Sequence, residues 1–262
     1  MTKTHSPRKP NAALAWRIFF YLLGLLVLAL GISMNTKAGL GVSPLISVSY
    51  SAADILGRSF ANMTLLLYSA YVVVEMILHL LHSKGLACRG NPPKRKLSMA
   101  LLLDALQFPL SLVFTRFLNI FDIVIPNLAS DQVVGFWSTL PGRVLFLLAA
   151  ICLTGIGAAF SMNMRIIPNP GDGIVQALSD STGASVGLTK NFMDLGSVAL
   201  TCVVSLACTR NLIGIGLGTV LCVIGVGRVI AVFNHLCRTK TLTLAGLDPF
   251  PKLSAEKGAA AS

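Results

Sequence analysis

Six stretches of the chain are almost uninterruptedly apolar: 14–35, 60–82, 97–118, 138–164, 187–208 and 211–235. Each reaches the length of about 20 residues that an α-helix needs to cross a hydrocarbon core. Two further segments, 44–57 and 170–183, mix apolar and polar positions and are too short to cross. The pattern predicts an all-α integral membrane protein with six transmembrane helices plus two short helices.

The short segments carry their own start and stop signals. Ser43 and Asn169 suit an N-cap, and Pro44 and Pro170 follow at the first helical position, where proline is best tolerated. Gly57 and Gly183 stand where a glycine ends a helix, and Asp172 complements the dipole of the second short helix. Helices of this kind span roughly 20 Å at 1.5 Å per residue. Extended stretches, "NTKAGLGV" and "MRIIP", precede them. Two arrangements remain open. Each helix dips toward the midplane and returns, or each lies flat at an interface, although "SPLISVSYSAADILG" lacks the basic face of an interfacial helix.

The two halves overlay at a shift of 126 residues. Arg17 falls on Arg143, Phe20 on Phe146, Gly31 on Gly157, Pro44 on Pro170, Asp54 on Asp180, Gly57 on Gly183 and Ser59 on Ser185. Each half reads as span, short helix, span, span. Three crossings are an odd number, so the second half enters from the opposite side, an inverted-topology repeat of the kind found in transporters. The expected organisation is an N-terminal tail at 1–13, a first membrane repeat at 14–118, an outer loop at 119–137, a second repeat at 138–235 and a C-terminal tail at 236–262.

Charge gives this topology a direction. Only 12% of the 262 residues are charged, yet the net charge is +11. With six spans, Lys37, Arg58, Arg116, Arg143 and Arg210 fall outside, and the other 16 of the 21 Lys and Arg fall on the side of both termini. That is the positive-inside pattern, with both termini cytoplasmic, and it removes the reason to expect a nucleic-acid partner. If the short segments also crossed, the run "KGLACRGNPPKRK" would face outward, which the charge rule disfavours. The first span is too long, and has no small-x-small site after it, to be a cleaved signal peptide.

Chemistry-bearing motifs are sparse. The six cysteines are scattered without a CxxC pair, and no Cys or carboxylate set completes a metal site around His79 and His82, so neither metal nor cofactor is expected. There is no HExxH, no Walker motif and no nucleophile with a histidine at usable spacing, which argues against an enzyme. Lys37 and Arg165 precede the two proline-started helices, and Asn35 and Asn163 flank the same turns. Together with Ser43, Asn169 and Asp172 they form a candidate substrate site suited to a small anion or carboxylate. The alternatives are that the cations snorkel and the asparagines cap helix ends. Asp104, with Gln107 one turn on, and Asp194 are candidates for proton or ion coupling. Asp104 equally suits a structural hydrogen bond, and Asp194 a pairing with Lys190 at i and i+4. Glu75 and His79 share that spacing. The expected function is a small-molecule permease, carrier or channel in the lipid bilayer. A non-transporting subunit or regulator, a homodimer or a complex docking a partner on loop 83–96 or tail 241–262, is the alternative.

The stretch "GISMNTKAGLGVSPLISVSYSAADILGRSFANMT" and the later "GLGTVLCVIGVGRVI" resemble the YczE/YitT-like family of bacterial integral membrane proteins, over about residues 17–235. The resemblance implies a bacterial inner-membrane protein of permease-like character. The second half departs from the pattern, with Asn-Pro-Gly-Asp at 169–172 where the first has Ser-Pro-Leu-Ile at 43–46.

Overall fold

A computed structural model describes residues 10–84, 96–130 and 133–247. Most of the basic loop 83–96 and of both tails, with Cys88, therefore lies outside the described residues. Those described are helical: α1 (Pro10–Lys37), α2 (Pro44–Leu56), α3 (Phe60–Ser83), α4 (Leu97–Val124), α5 (Leu140–Met164), α6 (Pro170–Thr182), α7 (Val186–Thr209) and α8 (Leu217–Leu244), with a 3-10 turn at Phe136–Ser138. Six of them are long and apolar enough to cross a membrane, and α2 and α6 are not.

The repeat is exact in the helix limits of the short helices and of the spans that follow them. α2 and α6 each run 13 residues, and α3 and α7 each run 24, both pairs 126 residues apart. α4 and α8 both run 28 residues but stand 120 apart, because only 210–216 joins α7 to α8 whereas 84–96 joins α3 to α4.

Several limits differ from expectation, and α1 starts at Pro10, inside the expected N-terminal tail. α4 continues past 118 to Val124, and stops where Ile125 turns extended before Pro126. The last span starts at Leu217 rather than 211, because Gly214 (φ +76°) and Gly216 hold an extended turn against the 38–43 loop. There the Gly218 N–H donates to the Leu40 carbonyl at 2.7 Å and the Val42 N–H to the Gly214 carbonyl at 2.9 Å. α8 then runs on to Leu244, so the expected tail from 236 begins as helix.

α1 and α5 cross at the centre, and their contacts come in symmetry-related pairs. Gly31 lies against the backbone of Thr154, and its counterpart Gly157 against the backbone of Leu28. At these crossings a Cβ would meet main chain, so only glycine allows the approach. At the two ends the arginines do the same work in opposite senses. Arg17 donates to the carbonyls of Met164 and Arg165, both at 2.8 Å. Arg143 donates to the carbonyls of Ala38 (2.8 Å) and Gly39. Each guanidinium satisfies the open carbonyls at the C-terminus of the other helix. Around the crossing, Tyr21, Leu25, Leu28, Tyr68, Phe114 and Leu118 form the main buried core.

Gly246, just past α8, lies against Ala13 near the start of α1. This terminal face also carries the ends of α3, α5 and α6. The far face carries the ends of α1, α2, α4 and α7.

Candidate functional site

The two short helices enter the molecule and turn back. Tyr71, the twelfth of the 24 residues of α3, hydrogen-bonds the Leu45 carbonyl at 3.4 Å, so α2 begins halfway along that span. From there α2 runs beside α7, with Ser47 Oγ 2.7 Å from Thr201 Oγ1 and Ser51 Oγ 2.7 Å from Ser205 Oγ, and ends at the far face. α6 begins at the same height, where the hydroxyl of Tyr21, the twelfth residue of α1, donates to the Ile167 carbonyl at 2.9 Å. It leaves toward the terminal face. The tips meet: Gly171, second residue of α6, lies against its counterpart Leu45 of α2. Of the two arrangements left open by the sequence, the dipping one is found.

Beside α6 a vestibule of about 590 Å³ runs from Ser83 and Lys96 at the terminal face down to Glu75, Asp104 and Asp172. That volume suits a small molecule. Helix spacing builds its floor. Glu75 and His79 share one face of α3, and Asp104 and Gln107 share one face of α4. His79 Nδ1 is 2.7 Å from Asp104 Oδ2, and Gln107 Nε2 donates to Glu75 Oε2 at 3.0 Å. The carboxyl groups of Glu75 and Asp104 and the His79 ring bring donor atoms within 4.8 Å of one another. Glu75 and Asp104 are 3% and 2% exposed, and Gln107 is fully buried. Gly173 makes room for them, since a Cβ there would stand 2.5 Å from Glu75 Oε2. Two carboxyl groups this deep need a proton or a cation, because an isolated buried charge is strongly disfavoured. Gln107 Oε1 and both ring nitrogens of His82 are buried with no hydrogen-bond partner.

The sequence-predicted residues divide. Arg165, Asn169, Asp172 and Asp104 line the vestibule, and Gln107 reaches it through Glu75. The others do not line it. Lys37 pairs with Asp122 at 2.7 Å on the far face. Asn35 Oδ1 accepts the Ser43 N–H at 3.0 Å while its Nδ2 donates to Cys222 Sγ at 3.0 Å, so Asn35 and Ser43 shape the turn before α2. Asn163 Nδ2 donates to Asn234 Oδ1 at 2.8 Å, and Asp194, buried, is 3.2 Å from Lys190. Conversely, Glu75, His79 and His82 belong to the site. The i, i+4 pairing of Glu75 with His79 was the available signal, but the carboxylate that completes the group, Asp104, comes from the next span.

Six apolar spans, two half-length helices and inverted halves define a multi-pass helical membrane protein. The chain belongs to the family described as Family of unknown function (DUF6198), whose model matches residues 15–235. This agrees with an uncharacterised membrane family over the expected span and does not carry the YczE/YitT name. No curated protein and no solved structure matches the chain.

Proposed function

We propose that the protein is a membrane carrier, not an enzyme, for a small cationic solute bound on the floor of the vestibule. The observation that carries this reading is the acidic floor itself, with Glu75 and Asp104 buried and Asp172 half-buried where a path from the terminal face ends at two helix tips. The anion expected from the sequence fits less well. Lys37 is engaged by Asp122, and the positive N-terminus of α6 is already answered by Asp172 in its first turn. The inverted halves supply a way to expose one site to either face in turn, by rocking one half against the other. A solute cation would supply the positive charge that Glu75 and Asp104 need at this depth. The distribution of Lys and Arg supports a cytoplasmic terminal face, and the resemblance noted in the sequence favours a bacterial inner membrane.

Uptake into proteoliposomes tests this, with methylammonium and Mn²⁺ as cation probes and lactate as the anion probe. Cation uptake that falls at least tenfold in Glu75→Gln or Asp104→Asn is the expected result. Lactate uptake that depends on Arg165 and Asn169, and ignores Glu75 and Asp104, would overturn the choice of a cation.

A further inference from the structure

Glu75, His79 and Asp104 each present a donor atom, all within 4.8 Å of one another. Zinc-like metals hold nitrogen and oxygen donors at about 2.0–2.2 Å, so donors on opposite sides of such an ion stand about 4.3 Å apart. The group therefore has to draw in by roughly half an ångström for opposite donors, and by more than an ångström for tetrahedral ones, to enclose an ion. A second observation points the same way. Gln107 is fully buried, its Nε2 is held by Glu75, and its carbonyl oxygen Oε1 has no partner. That oxygen is a fourth donor, attached to the same cluster and unspent. The glycine at 173 removes the one Cβ that would crowd Glu75 and Gln107.

We infer that Glu75, His79, Asp104 and Gln107 form a binding site for a divalent transition-metal cation, reached through the vestibule from the terminal face. The inference rests on the carrier reading only for its purpose, transport or regulation, and not for its geometry. Two carboxylates balance the two positive charges of the ion. One imidazole nitrogen with oxygen donors suits manganese, iron or zinc better than calcium or magnesium, which take oxygen alone. Binding requires both carboxylates and the coordinating nitrogen of His79 to be free of protons, so it should strengthen as pH rises.

The test is equilibrium binding of Zn²⁺ and Mn²⁺ to the purified full chain in nanodiscs, by calorimetry for Zn²⁺ and electron paramagnetic resonance for Mn²⁺. One ion per chain is expected. His79→Ala and Asp104→Asn should each weaken binding at least tenfold. Gly173→Ala keeps every donor but displaces Glu75, and should also weaken it. Ser205→Ala, at the position symmetry-related to His79, should leave binding unchanged and the protein monodisperse. Absence of stoichiometric binding, or binding untouched by His79→Ala, Asp104→Asn and Gly173→Ala, would overturn the site. The two proposals separate cleanly. Methylammonium uptake without metal binding leaves the carrier and removes the metal, while metal binding without uptake of any probe does the reverse.

Discussion

The half-site where α6 meets α3 and the half-site where α2 meets α7 occupy equivalent places in the two repeats, and they have opposite chemistry. Ser47 on Thr201 corresponds to Gly173 on Glu75, and Ser51 on Ser205 corresponds to Ala177 and His79, each residue 126 positions from its counterpart. In the first, hydroxyls buried at 0–1% exposure close the helices on one another. In the second, a glycine and an alanine draw back and charged groups stand along a vestibule. The backbone arrangement has been kept while the chemistry has diverged. Symmetry here accounts for the path through the molecule, and its violation accounts for the site.

The largest expected effect comes from forcing the two halves to agree. Thr201→Glu places a carboxylate among Ser47, Ser51 and Ser205 with no cation to meet it, and should destabilise the protein by about 3–5 kcal/mol. Adding Ser47→Gly should recover part of that loss, since it recreates the space that Gly173 leaves. Detergent-solubilised thermal unfolding reads both.

The central crossing should show the opposite, equality between the halves. Gly31→Leu and Gly157→Leu each drive a side chain into backbone, and each should cost about 3 kcal/mol. Markedly unequal losses would mean that the crossing is less symmetric than its contacts. Smaller still, Ser47→Ala and Ser51→Ala each remove one partner of a buried hydroxyl pair and should cost about 1 kcal/mol by the same measurement.

An effect of the same small size distinguishes the two turns. Gly39 (φ +63°) and Arg165 (φ +51°) hold the same left-handed conformation at equivalent positions, but only the first is glycine. Arg165→Gly should stabilise the fold by about 1 kcal/mol, whereas Gly39→Ala should destabilise it by a similar amount. An arginine kept at a strained position on the vestibule wall is consistent with a role there.

Much of this fold was legible in the sequence because its signals are local. Proline after a cap residue, a glycine thirteen positions on, and their recurrence at one spacing marked both short helices and the repeat. Charge distribution then separated the faces. The site was only half legible. Arg165, Asn169, Asp172, Asp104 and Gln107 were named, but Asp104 was read without Glu75 and His79 because these sit on α3, beyond the 84–96 connection. Lys37 was read as a free cation because Asp122 lay in a stretch expected to be outer loop, where α4 in fact continues. Asn35 and Asn163 are ambiguous by nature, since an amide that caps a turn and one that binds a ligand have the same sequence.

The claim on which the rest depends is that the two short helices enter to half depth from opposite faces. Single cysteines at Gly57 and Gly183, on a background without the native cysteines, test it in intact cells with a membrane-impermeant thiol reagent. Both positions end their helices, and a Cβ at Gly57 meets nothing within 4 Å. The account requires Gly57→Cys to label from outside and Gly183→Cys to label only after permeabilisation. Labelling of both from the same face would contradict the inverted repeat, and with it the meeting of the helix tips on which the site is built.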